Sequence, residues 1–163
     1  MAGAGKSTFS RALSARTGLP VIHLDVHFWE PGWAEPTADA WRVRERGLLA
    51  GDEWIADGNY EATLDDRLEH ADTLVFLDTP WWVCAQRALV RGIRPRPAGF
   101  QLPDGCPESA LRRLRDEWLL AGRICRVRSS ERARELAIAA RHTDHVTLVI
   151  LGSERAAADF LSA

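Results

Sequence analysis

Lysine is almost missing from this chain of 163 residues. Lysine and arginine together number 21, yet Lys6 is the only lysine, so arginine supplies every other strongly basic side chain. The net charge of −2 provides no overall attraction to nucleic acid or to an anionic membrane. The length suits one domain with a buried core, and we expect residues 1–163 to form a single domain.

Cysteine is scarce as well, and its spacing argues against two kinds of site. Cys84, Cys106 and Cys125 are odd in number and contain no Cys-x-x-Cys pair, unlike a zinc site or a disulfide framework. The five histidines show no metal-ligand spacing. We see no signal peptide and no apolar run of membrane-spanning length. These absences predict a cytoplasmic protein with reduced thiols.

The chain does contain a glycine-rich segment, and this segment surrounds its only lysine. Residues 3–8, called the phosphate loop below, contain the second half of the pattern G-x-x-x-x-G-K-[ST]. Its members are Gly3, Ala4, Gly5, Lys6, Ser7 and Thr8. Glycine lets backbone N–H groups turn toward phosphate, an ammonium reaches the β- and γ-phosphates, and the hydroxyl after the lysine binds Mg²⁺. The segment predicts a site for ATP and Mg²⁺, with Lys6 catalytic and Ser7 on the metal.

The pattern is incomplete at its beginning. Its first glycine would precede Met1, and the strand that normally leads into such a loop is missing too. Two interpretations stay open: Met1 is an internal methionine of a longer chain, or the chain is truncated and its phosphate site is damaged. We expect the first, and we expect the sheet formed by this chain to lack its first strand.

Hydrophobic periodicity and turn residues predict short strands that alternate with helices. The predicted strands are 21–24, 54–56, 73–77 and 145–151. The predicted helices are 7–16, 37–49, 64–70, 131–141, 154–161 and two that begin near 81 and 107. Residues 92–99 contain too much proline and glycine for regular structure. The alternation predicts an α/β fold, a three-layer α/β/α sandwich with a parallel, doubly wound sheet.

An aspartate follows each of the first three predicted strands. Asp25, Asp57 and Asp78 should therefore meet at the carboxyl edge of the sheet, where ligands of such folds bind. Carboxylates there could hold the waters of Mg²⁺ or accept a proton from a hydroxyl group. The alternative is that each aspartate only caps the helix that follows it.

Arginine and aromatic residues add two further signals. Residues 87–128 contain ten arginines and four acidic side chains, which favours a phosphorylated small substrate or, alternatively, solvated helix faces. Trp29, Trp33 and Tyr60 lie in predicted loops at the carboxyl edge, where they would contact a nucleobase or fill the core. Trp41 fits the pattern of a predicted helix, so we expect it in the core.

Together these residues resemble the adenylate-kinase-like P-loop proteins known as topology modulation proteins. The likeness covers most of residues 3–120 and rests on four segments of this sequence. These segments are Gly3–Thr8, His23–Trp33, Trp54–Tyr60 and Leu77–Val83. The phosphate loop alone is common to P-loop NTPases, whereas the combination with His-Leu-Asp, Pro-Gly-Trp and Asp-Gly-Asn-Tyr is far more specific.

The resemblance implies roles for particular residues. Asp57 would hold a water on Mg²⁺, Asp25 would bind or deprotonate the hydroxyl of the acceptor, and Arg87 and Arg91 would clamp the adenine and its phosphates. Residues 152–153, Gly152 and Ser153, would lie beside the adenine ring. The resemblance also implies a helical substrate-binding insert at about 26–53 and an arginine-bearing lid at about 91–128.

Three functions are compatible with the sequence. The first is a kinase that transfers the γ-phosphoryl group of ATP to a small nucleotide-like or hydroxyl acceptor. The second is an ATP-dependent switch that acts on DNA or on a DNA-associated partner, for which the arginine runs of residues 112–128 are the support. The third is an interaction module without catalysis. The kinase is our leading hypothesis, and it requires no membrane and no nucleic acid.

Overall fold

Four parallel strands form two separate pairs in the computed structural model, which describes residues 2–96 and 100–162 without the side chain of Arg128. Strand β1 (Val21–His23) pairs with β2 (Ile55–Asp57), and β3 (Thr73–Leu77) pairs with β4 (Thr147–Leu151). Within the described residues no further strand joins the two pairs. The mixed α/β class and the parallel strand direction are confirmed, whereas one continuous doubly wound sheet is not found.

Helices connect the strands, as the sequence predicts. In chain order they are α1 (Lys6–Thr17), α2 (Leu24–Phe28), α3 (Ala38–Leu48), α4 (Leu64–Leu68), α5 (Trp81–Ile93), α6 (Ala110–Ala139) and α7 (Glu154–Ser162). Short 3₁₀ turns at Glu61–Thr63 and Ala140–His142 precede α4 and follow α6. Helix α2 occupies part of what the sequence predicts to be a loop.

Local signals explain the ends of several helices. Helix α1 ends at Gly18, whose φ of 78° is left-handed and whose N–H donates to the carbonyl of Ser14. Helix α3 begins after Thr37, whose hydroxyl accepts a hydrogen bond from the N–H of Ala40 at 3.2 Å. The predicted ends of these helices are confirmed within two residues because caps of this kind depend on nearby residues only.

Helix α6 is a single long helix where two shorter helices are predicted. The sequence predicts two helices in this region, whereas the structure has one helix of 30 residues. No proline interrupts residues 110–139, and the hydroxyl of Ser130 donates to the carbonyl of Val127, so this serine is satisfied inside the helix. The predicted irregular stretch at 92–99 is helical up to Ile93, and its residues 97–99 lie outside the described part of the chain, as does Met1.

Two apolar clusters hold the elements together. One contains Ala4, Cys84, Ala88 and Ile124, and it joins the phosphate loop to α5 and α6. The other contains Leu64, Leu68, Ala139 and Val146, and it joins α4 to the end of α6 and the beginning of β4. Because α6 contributes to both clusters, it links the region of the phosphate loop to the strand pair β3–β4. In residues 2–96 and 100–162 no helix is long and apolar enough to cross a membrane.

Candidate functional site

The phosphate loop forms a tight turn at the beginning of α1. Gly3 and Gly5 have φ angles of 78° and 95°, a left-handed backbone that glycine adopts far more readily than other residues. The carbonyl of Gly5 accepts hydrogen bonds from the N–H groups of Thr8 and Phe9 at 3.1 and 3.0 Å, which closes the first turn of α1. The loop therefore places Lys6 at the positive end of a helix, where anions bind.

The phosphate loop packs against the beginning of α5 and the residue Thr79 that precedes this helix. A Cβ atom on Gly3 would lie 2.5 Å from the carbonyl oxygen of Cys84, so only glycine fits at this position. The hydroxyl of Thr79, just before α5, donates to the carbonyl of Ala4 at 3.0 Å. The sequence predicts no role for Thr79, and the position of this residue after Asp78 at the end of a strand is the signal that could have indicated one.

Of the two predicted arginine clamps, only Arg87 lies at the loop. Its Nη1 atom donates to the carbonyl of Gly3 at 3.4 Å, and its Nη2 atom forms an ion pair with Glu154. Arg91, one turn further along α5, instead forms two hydrogen bonds with the carboxylate of Glu117 in α6, at 2.5 and 2.6 Å. Arg91 therefore ties α5 to α6 in this structure.

The segment predicted to lie beside adenine is brought to the phosphate loop by Glu154. Gly152 follows β4, and a Cβ atom on it would contact nothing within 4 Å among the described residues. The hydroxyl of Ser153 caps α7 by accepting a hydrogen bond from the N–H of Ala156 at 3.1 Å. Because Glu154 pairs with Arg87, the segment lies next to the loop, and its backbone is open at Gly152.

A small cavity lies beside Lys6. Its volume is about 70 Å³, and Lys6, Asn59, Arg67 and Glu135 contribute to its wall. Four consecutive residues of β3, Leu74–Leu77, also line it, so the cavity lies along this strand. Glu135, in α6, is 7% exposed, and no role is predicted for it from the sequence. Its only sequence signal is a polar residue on the inner face of a helix.

Each of the three predicted aspartates is hydrogen-bonded to another side chain. Asp25 lies in the first turn of α2, and one of its carboxylate oxygens accepts the hydroxyl of Tyr60 at 2.8 Å. Asp57 is buried, and its carboxylate bonds the Nδ1 atom of His23 at 2.8 Å. Asp78 accepts three hydrogen bonds from Arg132 at 2.8 to 3.0 Å. Each carboxylate has its own partner, which a ligand at this edge would have to share or displace.

The pairing of His23 with Asp57 follows from the strand register. His23 ends β1, Asp57 ends β2, and the two residues are direct partners in the ladder. The sequence predicts that both lie at strand ends but not that they pair, because the register of β1 on β2 is a tertiary property. To bind a magnesium-bound water, as the resemblance implies, Asp57 would have to use its other carboxylate oxygen or give up its bond to His23.

Tyr60 stabilises the position of Asp25 from within an aromatic cluster. Its ring lies 4.5 Å from that of Phe28 and 4.9 Å from that of Trp41. Burial, followed by the negative charge of Asp25, raises the pKa of Tyr60 far above its usual value of 10.0. The phenol therefore stays protonated and donates to Asp25 at every ordinary pH.

The other aromatic residues divide between core and surface. Trp41 is 3% exposed, so the prediction that it belongs to the core is confirmed. Trp29 contacts Trp33 with their ring centroids 5.8 Å apart, and the indole N–H of Trp33 donates to the carbonyl of Pro107. The hydrogen bond to Pro107 fixes the loop of residues 29–33 against the segment before α6. Trp33 therefore has a structural role, whether or not it also contacts a substrate.

Carboxylates pair with most arginines of the segment 91–128, called the arginine-rich segment below. Arg96 and Arg113 share Glu108, Arg112 and Arg115 share Asp116, and Arg123 reaches Glu131 at 3.6 Å. The hydrogen bond from Arg96 is the main cause that lowers the pKa of Glu108 below its usual value of 4.5. The side chain of Arg128, predicted to join a lid, lies outside the described residues.

Of the two predicted magnesium ligands, Ser7 and Asp57, only Ser7 is exposed to solvent. Ser7 is exposed in the first turn of α1, whereas Asp57 is buried against His23. Among the described residues no group of three or more histidine, cysteine, aspartate or glutamate side chains could hold a metal ion. Ser7 and the phosphates of a nucleotide together suit Mg²⁺, because this ion commonly binds to substrate phosphates, waters and only one or two protein oxygens.

Comparison with known proteins finds no match to this chain among protein-family models, curated proteins or solved structures. The resemblance to the topology modulation proteins therefore stays a prediction that rests on the four segments of sequence named above.

Proposed function

We propose that this chain is an ATP-dependent phosphotransferase of the nucleotide-kinase type, which transfers the γ-phosphoryl group to a small nucleotide-like or hydroxyl acceptor. The phosphate loop is the observation that carries the proposal. Two glycines with left-handed backbones lead directly into α1, and the only lysine of the chain is the first residue of that helix. The proposal includes the three-layer arrangement of such kinases, in which one more strand would join β2 to β3.

The residues of the loop fit a nucleoside triphosphate. Among the described residues, a Cβ atom on Gly5 would meet within 4 Å only the Nη1 atom of Arg87, at 3.5 Å, so an anion can approach the backbone here with an arginine beside it. The guanidinium of Arg87 is partly exposed, and Glu154, its partner, lies on the surface. Since surface ion pairs are weak, a phosphate group can replace Glu154 on Arg87 at small cost.

Each residue of the loop has a separate task in this proposal. Lys6 neutralises oxygens of the β- and γ-phosphates, Arg87 binds phosphate beside Gly3, and the hydroxyl of Ser7 binds Mg²⁺. ATP supplies the transferred phosphoryl group when it is bound. Gly152 and Ser153 would lie against the adenine ring. Losing Lys6 should cost at least about 2 kcal/mol of transition-state stabilisation, by analogy with the loss of one preorganised hydrogen-bond donor.

The arginine pairs make a DNA-directed switch the weaker hypothesis. A protein that binds the DNA backbone needs arginines that can release counterions from phosphates. In the arginine-rich segment, Arg112, Arg113, Arg115 and Arg123 each have an acidic neighbour within 4.0 Å, and such a neighbour reduces the positive potential that DNA would meet. The switch remains the alternative if ATP is hydrolysed without any dependence on an acceptor.

The deciding experiment measures conversion of ATP to ADP with a panel of nucleosides, nucleoside monophosphates and small polyols. Lys6→Met removes the ammonium, and Arg16→Met, on the exposed side of the same helix, is the matched control. We expect one acceptor to raise turnover strongly, Lys6→Met to abolish that turnover, and Arg16→Met to retain it. Full turnover in Lys6→Met would refute the proposed phosphate site, and acceptor-independent hydrolysis would favour the switch.

A further inference from the structure

Two loops that are distant in the sequence are joined in the structure. Residues 29–34 follow α2, residues 103–107 precede α6, and we call the contact between them the loop junction. Three hydrogen bonds of 2.9 to 3.1 Å cross the junction. They join Gly32 to Gly105, Trp33 to Pro107 and Cys106 to Glu30. The insert after β1 is thereby attached to the helix that follows the predicted lid.

The loop junction is closely packed. A Cβ atom on Gly105 would lie 2.9 Å from the Cβ atom of Pro31, so only glycine fits between the two loops. The side chain of Cys106 is held inside the contact, and this residue is 3% exposed. The guanidinium carbon of Arg112, in the first turn of α6, lies 5.3 Å from the ring centroid of Trp33, within the range of a cation–π contact. Backbone, thiol and ring contacts therefore all hold the same two loops together.

Trp33 is the strained member of the junction. Among the described residues it is the one residue other than glycine with a positive φ, which is 68°. A bulky side chain with such a backbone costs conformational free energy, and it persists where the surrounding contacts hold it. The N–H of Trp33 donates to the carbonyl of Glu30 at 3.0 Å, and the turn closed in this way directs the indole N–H to Pro107. The contact with Pro107 therefore depends on the strained conformation.

On one side, the junction is continuous with the aromatic cluster around Asp25. The ring of Trp33 lies 5.8 Å from that of Trp29, which in turn lies 5.2 Å from that of Phe28. Phe28 contacts Tyr60, and the hydroxyl of Tyr60 donates to Asp25. Asp25 is the residue expected to bind the acceptor, so we call this part of the molecule the acceptor side.

On the other side, the junction is continuous with the phosphate loop. Glu117 of α6 accepts two hydrogen bonds from Arg91 of α5, at 2.5 and 2.6 Å. Arg87 lies one turn earlier in α5 and donates to the carbonyl of Gly3 at 3.4 Å. We call this part the phosphate side. Because α5 and α6 are bound to each other, a displacement of the beginning of α6 is transmitted toward Arg87.

We propose that Trp33 is a positioning residue that holds the acceptor side and the phosphate side together through the loop junction. This inference rests on the proposed phosphotransferase function and deepens it. With the junction closed, the acceptor hydroxyl stays at reaction distance from the γ-phosphorus, and water has little access. With the junction open, the two sides move separately and water receives the phosphoryl group more often. ADP and inorganic phosphate then form in place of ADP and the phosphorylated acceptor.

The test measures how the phosphoryl group divides between acceptor and water. Trp33→Phe removes the indole N–H but keeps a ring, and Trp118→Phe, at a 67% exposed position of α6, is the matched control. With ATP and the best acceptor, we expect the ratio of phosphorylated acceptor to inorganic phosphate to fall about tenfold in Trp33→Phe. We expect the control to keep the wild-type ratio. Partial unfolding lowers both products equally, so a merely structural role leaves the ratio unchanged.

A second measurement follows the loop junction itself and needs no ATP. A thiol reagent reaches Cys106 only when the junction opens, and peptide mass spectrometry locates the label. Cys84 is 0% exposed in the cluster beside the phosphate loop, so its labelling reports general unfolding. We expect Cys106 to react about threefold faster in Trp33→Phe, the effect of losing one hydrogen bond. We expect the labelling of Cys84 to be unchanged.

The outcomes separate this inference from the function on which it rests. A wild-type chain that neither binds nor converts ATP would refute both. An active chain whose product ratio is unchanged in Trp33→Phe, or whose Cys106 reacts no faster there, would refute the role of Trp33 alone. If Trp33→Phe does not fold, Gly105→Ala decides, because its methyl group meets Pro31 and parts the two loops. A lower ratio in that variant supports the inference, and the wild-type ratio overturns it.

Discussion

The phosphate loop and the arginine-rich segment look alike in sequence, since both suggest binding of phosphate, but they differ in structure. In the loop, Lys6 begins a helix next to two glycines and beside a cavity. In the arginine-rich segment, Arg91, Arg96 and Arg113 are bound to glutamates. The number of basic residues therefore overstates the positive charge available to a ligand, because acidic neighbours have to be subtracted.

The strongest way to sharpen this comparison is to exchange the two kinds of basic side chain. Lys6→Arg keeps the charge but replaces a compact ammonium by a planar fork that fits the loop poorly, so we expect turnover of ATP to fall at least about tenfold. Arg113→Lys makes the opposite exchange in the arginine-rich segment, where it only weakens the contacts to Glu108 and Gly92. Steady-state kinetics on both variants would contradict the comparison if the two losses were equal.

A second prediction concerns the backbone of the loop. Gly3→Ala brings a Cβ atom against the carbonyl of Cys84 and forces alanine into a left-handed conformation, so we expect a loss of at least about 2 kcal/mol in the free energy of unfolding. Gly18→Ala is the matched control, because its φ is also 78° but a Cβ atom there meets nothing within 4 Å among the described residues. We expect only about 1 kcal/mol from it. Urea unfolding would show similar losses if the contact with Cys84 is unimportant.

A third, smaller effect concerns the carboxylate of Glu108, which pairs with arginines of the arginine-rich segment. Arg96 and Arg113 lower the pKa of Glu108 in the folded protein, so the carboxylate binds protons less readily there than in the unfolded chain. Its stabilising contribution is complete above the usual value of 4.5 and is lost as the pH falls through the lower, folded value. Urea unfolding at several acidic pH values should show less pH dependence in Glu108→Gln than in the wild type, and identical profiles would contradict this assignment.

The smallest expected effect is that of salt on DNA binding. If carboxylates neutralise the arginine-rich segment, duplex DNA should bind weakly, and the affinity should change little with salt concentration. A protein that uses the segment on DNA would show a log–log slope of about −0.9 for each phosphate contact. Fluorescence anisotropy with a labelled duplex across a salt series distinguishes the two, and a slope of several units would break the comparison in favour of the DNA-directed switch.

The sequence predicts local elements better than it predicts the site. Strand β3 is found at the predicted residues 73–77, and Gly18 and Thr37 end and begin the helices expected of them. The site is harder, since Glu135 and Glu154 lie 129 and 148 residues after Lys6 in the chain and approach the loop region only through the packing of α6 and the position of α7. Neither residue belongs to a motif, so periodicity and spacing could not assign it to the site.

What the sequence determined by itself is the chemistry within short stretches: a glycine-rich turn before Lys6, parallel strands alternating with helices, and an arginine-rich segment. Backbone conformation and helix caps depend on neighbours in the chain, so such features can be read from it directly. Only the tertiary structure decided which charges are paired, because Asp57 with His23 and Asp78 with Arg132 are contacts between distant residues. Since a buried charge is stable only with a partner or a ligand, such pairings decide which charged side chains stay available to a ligand.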